Sequence, residues 1–469
     1  MSFTSITFLF IFLPVFLAVF FILPGRVMKN AWLLIASILF YAWADLRNGW
    51  LLPYLILVNF LYSIACKHGK QVGKGLQVAY GVTLVLNLAP LIFFKYAAFF
   101  LKIANSWLDL SLPIPTNPQP VGISFITFCC IAYVLDVHKG ITNPETNLIS
   151  LANFVTFFPK LTQGPITRYR EISEELANRS VGMEKIANGI QRFILGFAKK
   201  IILADSLAAV GNTVFRINPE WIGAGIAWYG LVCYGLQIYF DFSGYTDMAI
   251  GLGQMIGFKL PENFNHPYTS RSITDFWRRW HMTLTAWFRN YVFIPLEYKR
   301  RHAKLLRQPT HILIVFALTG FWHAANWNFI IWGIYYGIIL SLEVLGLGKF
   351  LKRLPAIIQH GYTLGIIFIG WVFFRLTAIS DWPGFFKTLF GMNGFSGIYT
   401  SRSLNILAYW PVLAAAMVFC LPLDQWIPES TKNSGIWRIA SQATAIGLLF
   451  LSIALLVSRG YQSFLYAQF

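Results

Sequence analysis

Polar and aromatic side chains are concentrated in one stretch, residues 263–296, of an otherwise strongly apolar sequence. If this stretch is helical, a spacing of three or four residues places five side chains on one broad stripe, namely Trp277, Arg278, His281, Thr285 and Arg289. Lipid tails do not solvate such side chains, whereas a protein interior or a water-filled funnel does. The pattern therefore predicts that the stretch lines a site and that His281 faces it.

A second stretch, 311–337, places His323 inside a nearly uncharged apolar run. Asn326 and Trp327 follow three and four residues later, which on a helix is one turn further along. Gly320 leaves room for a backbone or a ligand to approach closely. Because ionisable groups are costly at membrane depth, we interpret this histidine as a second functional candidate.

Two histidines in such settings suit acyl transfer. A neutral imidazole can take a proton from an attacking hydroxyl, and its ordinary pKa lies near working pH. Burial lowers the pKa of a histidine and so keeps the base neutral. A single buried histidine is more often structural, but two that are flanked by Trp, Asn and Arg favour catalysis. The sequence has no GxSxG elbow or Cys–His signature that would indicate a covalent serine or cysteine enzyme.

The elements that hold these residues are predicted to be membrane helices. Hydrophobic residues make up 57% of the 469 residues and charged residues 12%, against about 45–50% and about 25% in soluble domains. A helix needs roughly 20 apolar residues to cross the hydrocarbon. The clear candidates are 7–24, 31–45, 48–66, 76–103, 119–136, 221–240, 311–345 (as two passes), 361–379, 405–422 and 437–457. The shorter or more polar candidates are 148–158, 187–204, 244–258 and 281–296.

The formal net charge of +18 does not indicate nucleic-acid binding in this chain. Lys and Arg lie in short loops beside apolar runs, as expected for loops on the cytoplasmic side of a membrane. We therefore predict a lipid bilayer as partner and no nucleic acid. The five cysteines lie in or beside apolar runs without a CxxC pair, which indicates small buried hydrophobes and no metal site.

Five blocks of the sequence resemble the membrane-bound O-acyltransferase (MBOAT) family, of the type that acetylates bacterial alginate. They are PVGISFITF (120–128), FFPKLTQGPITR (157–168), YFDFSGYTDMAIGLG (239–253), NFNHPYTSRSITDFWRRWHMTLTAWFRNYVFIPL (263–296) and GFWHAANWNFIIWGIYYG (320–337). The resemblance implies an all-α polytopic membrane protein with about a dozen transmembrane or reentrant helices around a central tunnel. We expect one such domain over residues 1–469.

The resemblance also implies roles for individual residues. His323 resembles the family's essential histidine, midway along the tunnel, and His281 resembles the second histidine across it. Gln163 and Arg168 match a reentrant segment near the entrance for the acyl donor. Around the histidines we expect the lining residues Asp275, Trp277, Arg278, Arg279, Trp280, Asn326 and Trp327.

The C-terminal tail, 458–469, ends in SFLYAQF and resembles a tail with a Phe-x-Tyr motif found in such systems. There a tyrosine can carry the acyl group outward, which makes Tyr466 a candidate acyl relay. The alternative is an aromatic anchor at the membrane interface, a common setting for Tyr and Phe.

The function implied by the resemblance is transfer of an acetyl group from a cytoplasmic thioester, for which we expect acetyl-CoA, across the bacterial inner membrane. His323 would be the general base, and His281 would position or polarise the thioester. No bound cofactor or metal is expected. The final acceptor would be an exported polysaccharide (alginate-type, peptidoglycan or another glycan), reached through a periplasmic SGNH-type esterase or acetyltransferase partner.

Three alternatives remain at the level of sequence. Within the same class, the chain could transfer D-alanine to teichoic acid. From other classes, it could be a transporter or channel whose His and Arg side chains form an ion path, or a structural scaffold. Transporters often contain internal repeats with matching broken helices, and this sequence has no recognisable repeat.

Overall fold

The computed structural model describes residues 1–68, 73–300, 306–395, 397–401 and 403–465, which are mostly helical and include no β-strand. They form two compact units. The first contains residues 1–193 and 245–261, and the second contains residues 194–244 and 262–465. The prediction of one domain over 1–469 stays a prediction.

The first unit begins with apolar helices. Its α-helices are Leu13–Ile22, Gly25–Ala44, Leu51–His68, Lys74–Leu91, Ala97–Leu108, Ile123–His138, Leu148–Thr156, Phe158–Leu161 and Ser173–Ala177. The π-helical segments Phe8–Phe12 and Ile92–Tyr96 and the 3₁₀ turn Tyr169–Glu171 belong to the same unit. Helices Met183–Ala198 and Ala224–Met255 contribute residues to both units.

The second unit contains the two histidine blocks. Its other α-helices are Asp205–Arg216, Ile273–Arg279, Met282–Phe288, Ile294–Lys299, Arg307–His323, Trp327–Leu342, Gly348–Leu351, Ala356–Arg375, Trp382–Leu389, Trp410–Phe419, Leu423–Trp426, Glu429–Lys432 and Gly435–Arg459. Its π-helical segments are Lys199–Ala204, Arg289–Phe293 and Glu343–Leu347, and its 3₁₀ turns are Pro219–Trp221, Pro267–Thr269, Ile379–Asp381 and Leu407–Tyr409.

Five helical runs among the described residues are long and apolar enough to cross a membrane. They are Gly25–Ala44, Lys74–Leu108, Trp327–Leu351, Ala356–Arg375 and Gly435–Arg459. Shorter apolar helices are Phe8–Ile22, Leu51–Lys67, Ile123–His138 and Leu407–Phe419. These helices agree with the predicted all-α membrane class, while the number of spans and the central tunnel stay predictions.

One predicted pair of elements is a single helix in the structure. The sequence predicts 221–240 as a clear candidate span and 244–258 as a separate, shorter or more polar one, but Ala224–Met255 is continuous. Asp241 and Ser243 are both buried within it. Their polarity therefore marks an interior face of one helix and not a break between two.

The helix that carries His323 packs closely against the next helix because both have glycine at the contact. A Cβ on Gly320 would overlap the Phe329 carbonyl oxygen, and a Cβ on Gly333 would overlap the Phe316 carbonyl oxygen. Gly320 therefore provides space for a neighbouring backbone, as its position suggested, and small residues at such contacts are typical of membrane helix pairs.

The core of the second unit is rich in aromatic rings around the histidine blocks. Trp280, Trp332 and Trp371 are each no more than 1% exposed and belong to one buried cluster. Large buried rings fix their neighbours through many weak contacts and leave few alternative packings. This core holds the short helices of residues 273–288 in place.

Candidate active site

The stripe predicted for residues 277–289 does not lie on one helix. Helix Ile273–Arg279 ends, Trp280 is extended, and His281 adopts a left-handed conformation with φ 44° before helix Met282–Phe288 begins. A non-glycine residue with positive φ is uncommon and costs roughly 1–2 kcal/mol. Such a conformation persists where surrounding contacts impose it, and it often marks a functional position.

The contacts that impose this break come from residues 263–265. The Asn263 carbonyl accepts from the Met282 amide at 2.9 Å, and the Asn265 amide donates to the Arg279 carbonyl at 2.9 Å. In a continuous helix, both of these backbone groups would bond within the helix. The segment therefore takes over hydrogen bonds that a helix would form and interrupts the predicted stripe at His281.

Asn263 also determines which ring nitrogen of His281 carries the hydrogen. Asn263 Oδ1 accepts from the Thr283 amide at 3.2 Å and lies 3.1 Å from His281 Nδ1. A backbone amide can only donate, so the atom facing it is the oxygen and Nδ1 must carry the hydrogen. The neutral imidazole then has its lone pair on Nε2. His281 is 2% exposed.

A residue absent from the sequence interpretation, Glu343, holds the start of the helix that precedes His281. Its carboxylate accepts from the Ile273 amide at 2.8 Å, the Thr274 amide at 2.9 Å and the Thr274 hydroxyl at 2.6 Å. The Tyr362 hydroxyl donates to it at 3.1 Å. A buried carboxylate at a helix N-terminus satisfies amides that have no partner within the helix. The available signal was a lone acid in the apolar run IILSLEVLGL (338–347).

His323 is the last residue of helix Arg307–His323 and is 5% exposed. The following residue, Ala324, is extended, and the next helix starts at Trp327. The interpretation of Asn326 and Trp327 as one helical turn beyond His323 was therefore wrong, because the helix ends first. Asn326 is half-buried at the start of the new helix, and the Trp327 side chain is 46% exposed.

A series of ring contacts within the second unit joins the two histidines. The His281 ring centroid lies 6.2 Å from that of Trp322, and the Trp322 centroid lies 5.0 Å from that of His323. His323 meets the edge of Trp332 at 5.2 Å, and Trp332 lies 5.5 Å from Trp277. Residues distant in sequence thus form one aromatic cluster in which both imidazoles contact the indole of Trp322.

Two indole N–H groups of this cluster have no hydrogen-bond partner among the described residues. They belong to Trp277 and Trp332, and the Asn263 side-chain nitrogen is in the same situation. Buried polar groups in proteins nearly always have a partner, so each exception requires an explanation. Donors beside a candidate base can be satisfied by a bound substrate or by water.

The remaining predicted residues near His281 separate into three settings. Trp280 packs in the aromatic core against Trp371 at 5.1 Å. Arg278 is exposed. Arg279 pairs with Asp275 at 3.0 Å, four residues apart on one helix.

Asp275 and Arg279 line a cavity of about 640 Å³ in the second unit. Basic and aromatic side chains accompany them, among them Arg271, His360 and Trp426. Its volume is in the range of sites for small molecules. Neither His281 nor His323 is among the residues that line it.

Gln163 and Arg168 belong to the first unit, so they are described separately from the histidines. Gln163 is 4% exposed, and its side-chain oxygen has no partner among the residues described. Arg168 pairs with Glu171 at 2.8 Å. Tyr466 lies outside the described residues. Within them, no group of three or more His, Cys, Asp or Glu side chains could hold a metal ion, and the absence of a cofactor stays a prediction.

Comparison with known proteins defines the class to which this fold and site belong. The model of the membrane-bound O-acyltransferase family matches residues 78–379. The chain is 35% identical to the probable alginate O-acetylase AlgI of Pseudomonas putida over 100% of both chains. It is 34% identical to a peptidoglycan O-acetyltransferase of Helicobacter pylori, over 86% of this chain and 82% of the relative. A teichoic acid D-alanyltransferase of Bacillus subtilis is 31% identical over 51% of this chain and 64% of the relative.

The chain therefore belongs to the membrane-bound O-acyltransferase family. It is an all-α polytopic membrane protein and an O-acyltransferase, so the predicted family, fold class and enzyme class are confirmed. The roles of individual residues stay predictions.

Proposed function

We propose that the enzyme moves an acetyl group from a thioester donor, acetyl-CoA, to a hydroxyl acceptor, for O-acetylation of an exported polysaccharide. The observation that carries this proposal is the aromatic cluster in which His281 and His323 contact the same indole, that of Trp322. The names of the relatives support a glycan as final acceptor, because they include alginate and peptidoglycan.

His323 acts as the general base. The acceptor oxygen bonds to the thioester carbonyl carbon while its proton passes to the imidazole. The carbon–sulfur bond then breaks, and the departing thiolate takes up that proton. Thiolate is a good leaving group, so the transfer needs no metal. Positioned proton transfer of this kind contributes about 10²–10⁴-fold to a rate.

His281 positions the thioester donor in this scheme, because its Nε2 atom can accept a hydrogen bond from an amide N–H of the pantetheine arm. With its hydrogen on Nδ1, its Nε2 atom accepts hydrogen bonds and cannot donate one to a thioester carbonyl. Polarising the carbonyl, the other role expected for His281, would require the charged imidazolium. The indole N–H groups of Trp277 and Trp332 are the donors that we assign to the carbonyl oxygen, on which charge develops in the transition state.

The cavity beside Asp275 is the proposed site for the anionic part of the donor. Arg271 and Arg279 supply positive charge there, and Trp426 supplies an aromatic surface. Guanidinium groups match phosphate geometry with paired hydrogen bonds. Acetyl-CoA contains phosphates and an adenine ring, so its chemistry suits these side chains.

The proposal extends to the cell and its partners. The enzyme works in the bacterial inner membrane with the donor on the cytoplasmic side, and Tyr466 carries the acetyl group outward. A periplasmic SGNH-type esterase or acetyltransferase then passes it to the polymer. Glycan hydroxyls on the far side require such a step, since the thioester is cytoplasmic.

Transfer of D-alanine to teichoic acid is the second candidate. It is supported by the similarity to the teichoic acid D-alanyltransferase, which covers about half of this chain. A D-alanyl thioester on a carrier protein would replace acetyl-CoA as donor. Comparing both donors with the same purified enzyme separates the two functions.

The test measures release of free CoA from acetyl-CoA by protein in lipid nanodiscs. His323→Asn should lower turnover by about 10²–10⁴-fold, as expected for loss of a general base. The matched control is His266→Asn. His266 lies in the same unit, and its Nε2 atom is 3.4 Å from the Asp424 carboxylate and not in the histidine cluster. It should retain full turnover. Equal turnover by the two variants would remove His323 from the mechanism, and turnover only with the D-alanyl donor would establish the second candidate.

A further inference from the structure

Lys200 is a buried cation in the second unit that the proposed chemistry does not use. Its ammonium lies 2.6 Å from Asp241 and 2.7 Å from Asp205. The Lys200 side chain is 2% exposed, and those of Asp241 and Asp205 are 3% and 8% exposed. A buried charge of this kind requires paired, hydrogen-bonded partners to be tolerated. We refer to these three residues as the Lys200 cluster.

Close helix packing assembles the cluster. A Cβ on Gly244 would lie 2.7 Å from the Gly196 carbonyl oxygen and 3.2 Å from the Lys200 amide nitrogen. Without a side chain at 244, the backbones approach closely enough for Asp241, one turn earlier, to reach Lys200. Lys200 itself lies in the π-helical segment Lys199–Ala204, and such segments are frequent at functional sites.

The C-terminal segment of the chain binds to this cluster through its backbone. The Leu465 amide donates to Asp241 Oδ2 at 2.8 Å, and Lys200 Nζ donates to the Ser463 carbonyl at 3.3 Å. The Phe464 ring between them is 2% exposed, with its centroid 4.8 Å from the ammonium. Two backbone bonds and one buried ring thus hold three consecutive residues.

The same segment is also held where it leaves its helix. Helix Gly435–Arg459 ends at Arg459, whose guanidinium donates to the Ser206 hydroxyl at 2.7 Å. The chain between Arg459 and Ser463 is therefore short and attached at both ends. Between these attachments Tyr461 remains 52% exposed.

We propose that the Lys200 cluster is the docking site for the C-terminal segment 463–465 and positions Tyr466, the next residue in sequence, for acyl transfer. This inference rests on the proposed relay role of Tyr466. Lys200, Asp205 and Asp241 are positioning residues here, because they act on the tail backbone and touch no reacting atom. Holding Ser463, Phe464 and Leu465 on the cluster fixes the point from which the tail continues, and a fixed attachment of this kind is how positioning raises effective molarity.

The experiment compares two aromatic residues of the same tail in the full-length protein in nanodiscs. Phe464→Ala removes the buried ring from the cluster, and Tyr461→Ala removes the exposed ring three residues earlier. Hydrogen–deuterium exchange of the tail peptide measures docking. Mass spectrometry of the same peptide measures acetyl on Tyr466 after incubation with acetyl-CoA, and CoA release measures thioester cleavage. Leu465→Pro, which removes the amide that donates to Asp241, is a second variant that undocks the tail by a different route.

Phe464→Ala and Leu465→Pro should each speed exchange in the tail at least tenfold and lower acetyl on Tyr466 at least fivefold. Tyr461→Ala should change neither. If hydrogen–deuterium exchange of the tail is no faster in Phe464→Ala and Leu465→Pro than in Tyr461→Ala, the docking site is wrong, whatever the activity of these variants. Undocked tails with unchanged acetyl on Tyr466 overturn the positioning role. If Tyr466 carries no acetyl even in the unaltered protein, the relay is wrong, and with it the positioning role of the cluster.

Discussion

The Lys200 cluster and the histidine cluster lie in the same unit and treat buried polar groups in opposite ways. Lys200 uses all three ammonium hydrogens, on Asp205, Asp241 and the Ser463 carbonyl. In the histidine cluster, the indole N–H groups of Trp277 and Trp332 have no partner among the described residues. The ammonium of Lys200 has all its hydrogen bonds within the protein, whereas the histidine cluster has N–H donors that a bound substrate could use.

This difference distinguishes buried polar groups that stabilise the fold from buried polar groups that can bond a substrate. A fully paired buried network makes its surroundings rigid, and its loss leaves charges without compensation. An unpaired buried donor costs stability in the resting protein and is retained where it bonds a substrate or a transition state. Substitutions in the Lys200 cluster should therefore act on stability and on docking of the tail, and those in the histidine cluster mainly on the thioester-cleavage step.

The largest expected effect on stability comes from removing the charge at Lys200. Lys200→Met leaves two buried carboxylates without their cation and should lower the free energy of unfolding by about 3–5 kcal/mol. The double variant Lys200→Met with Asp241→Asn should recover part of this loss, because it removes one of the uncompensated charges. Thermal unfolding in nanodiscs checks both, with Lys185→Met at an exposed lysine as control. A single variant as stable as the control would show that the cluster is not a structural network.

Asn263→Ala tests how the fold holds His281. The substitution removes an oxygen that accepts from His281 Nδ1, the Thr283 amide and the Thr283 hydroxyl. Turnover should fall roughly 100-fold, because small misplacement of a catalytic group is costly. Asn263→Asp keeps an acceptor at the same place and should restore most of it, while Asn265→Ala at an exposed neighbour should have no effect. A loss in Asn263→Ala that Asn263→Asp does not restore would contradict the hydrogen-bond role.

The fold class was predictable because it depends on local pattern. The apolar runs 31–45, 361–379 and 437–457 predicted the helices Gly25–Ala44, Ala356–Arg375 and Gly435–Arg459, with their ends six residues or less from the observed ones. Each forms its own backbone hydrogen bonds, so no distant residue is needed to specify it. The two histidines were also recognisable from their Trp, Asn and Arg neighbours in the sequence, and the resemblance added the role expected of each.

The site geometry was less predictable because distant residues determine it. His281 is turned by Asn263, 18 residues away, and the helix before it is held by Glu343, which is 70 residues from Ile273. A periodic pattern over 277–289 favours a continuous helix and contains no information about these partners. The same holds for Lys200 and the tail, where the Ser463 carbonyl lies 263 residues from its donor.

Glu343→Gln should have a smaller effect than Asn263→Ala. The amide keeps one oxygen for the helix amides but turns an NH₂ group toward a donor, so roughly 1–2 kcal/mol of stability should be lost. Because Glu343 contacts Ile273 and Thr274 and not the cluster rings, KM for the donor should rise while His323 chemistry stays intact. Thermal unfolding and the separate measurement of kcat and KM check this. A loss confined to kcat would place Glu343 in the chemical step instead.

The smallest expected change, Trp332→Phe, is the sharpest test of the comparison between the two regions. It removes an indole N–H that has no partner among the described residues and keeps an aromatic ring beside His323. If that N–H bonds the thioester oxygen in the transition state, kcat should fall about tenfold, or about 1.4 kcal/mol. Stability should not fall by the cost of a hydrogen bond, since none is lost.

Trp371→Phe provides the opposite case, because its indole N–H donates to the Tyr268 hydroxyl at 3.1 Å. That substitution should lower the unfolding temperature and leave kcat unchanged. The two variants exchange the same residue types in the same buried core, so ring size alone predicts equal effects. If Trp332→Phe loses stability like Trp371→Phe and keeps its turnover, the unpaired donor is part of the packing. The contrast between the Lys200 cluster and the histidine cluster would then not reflect catalysis.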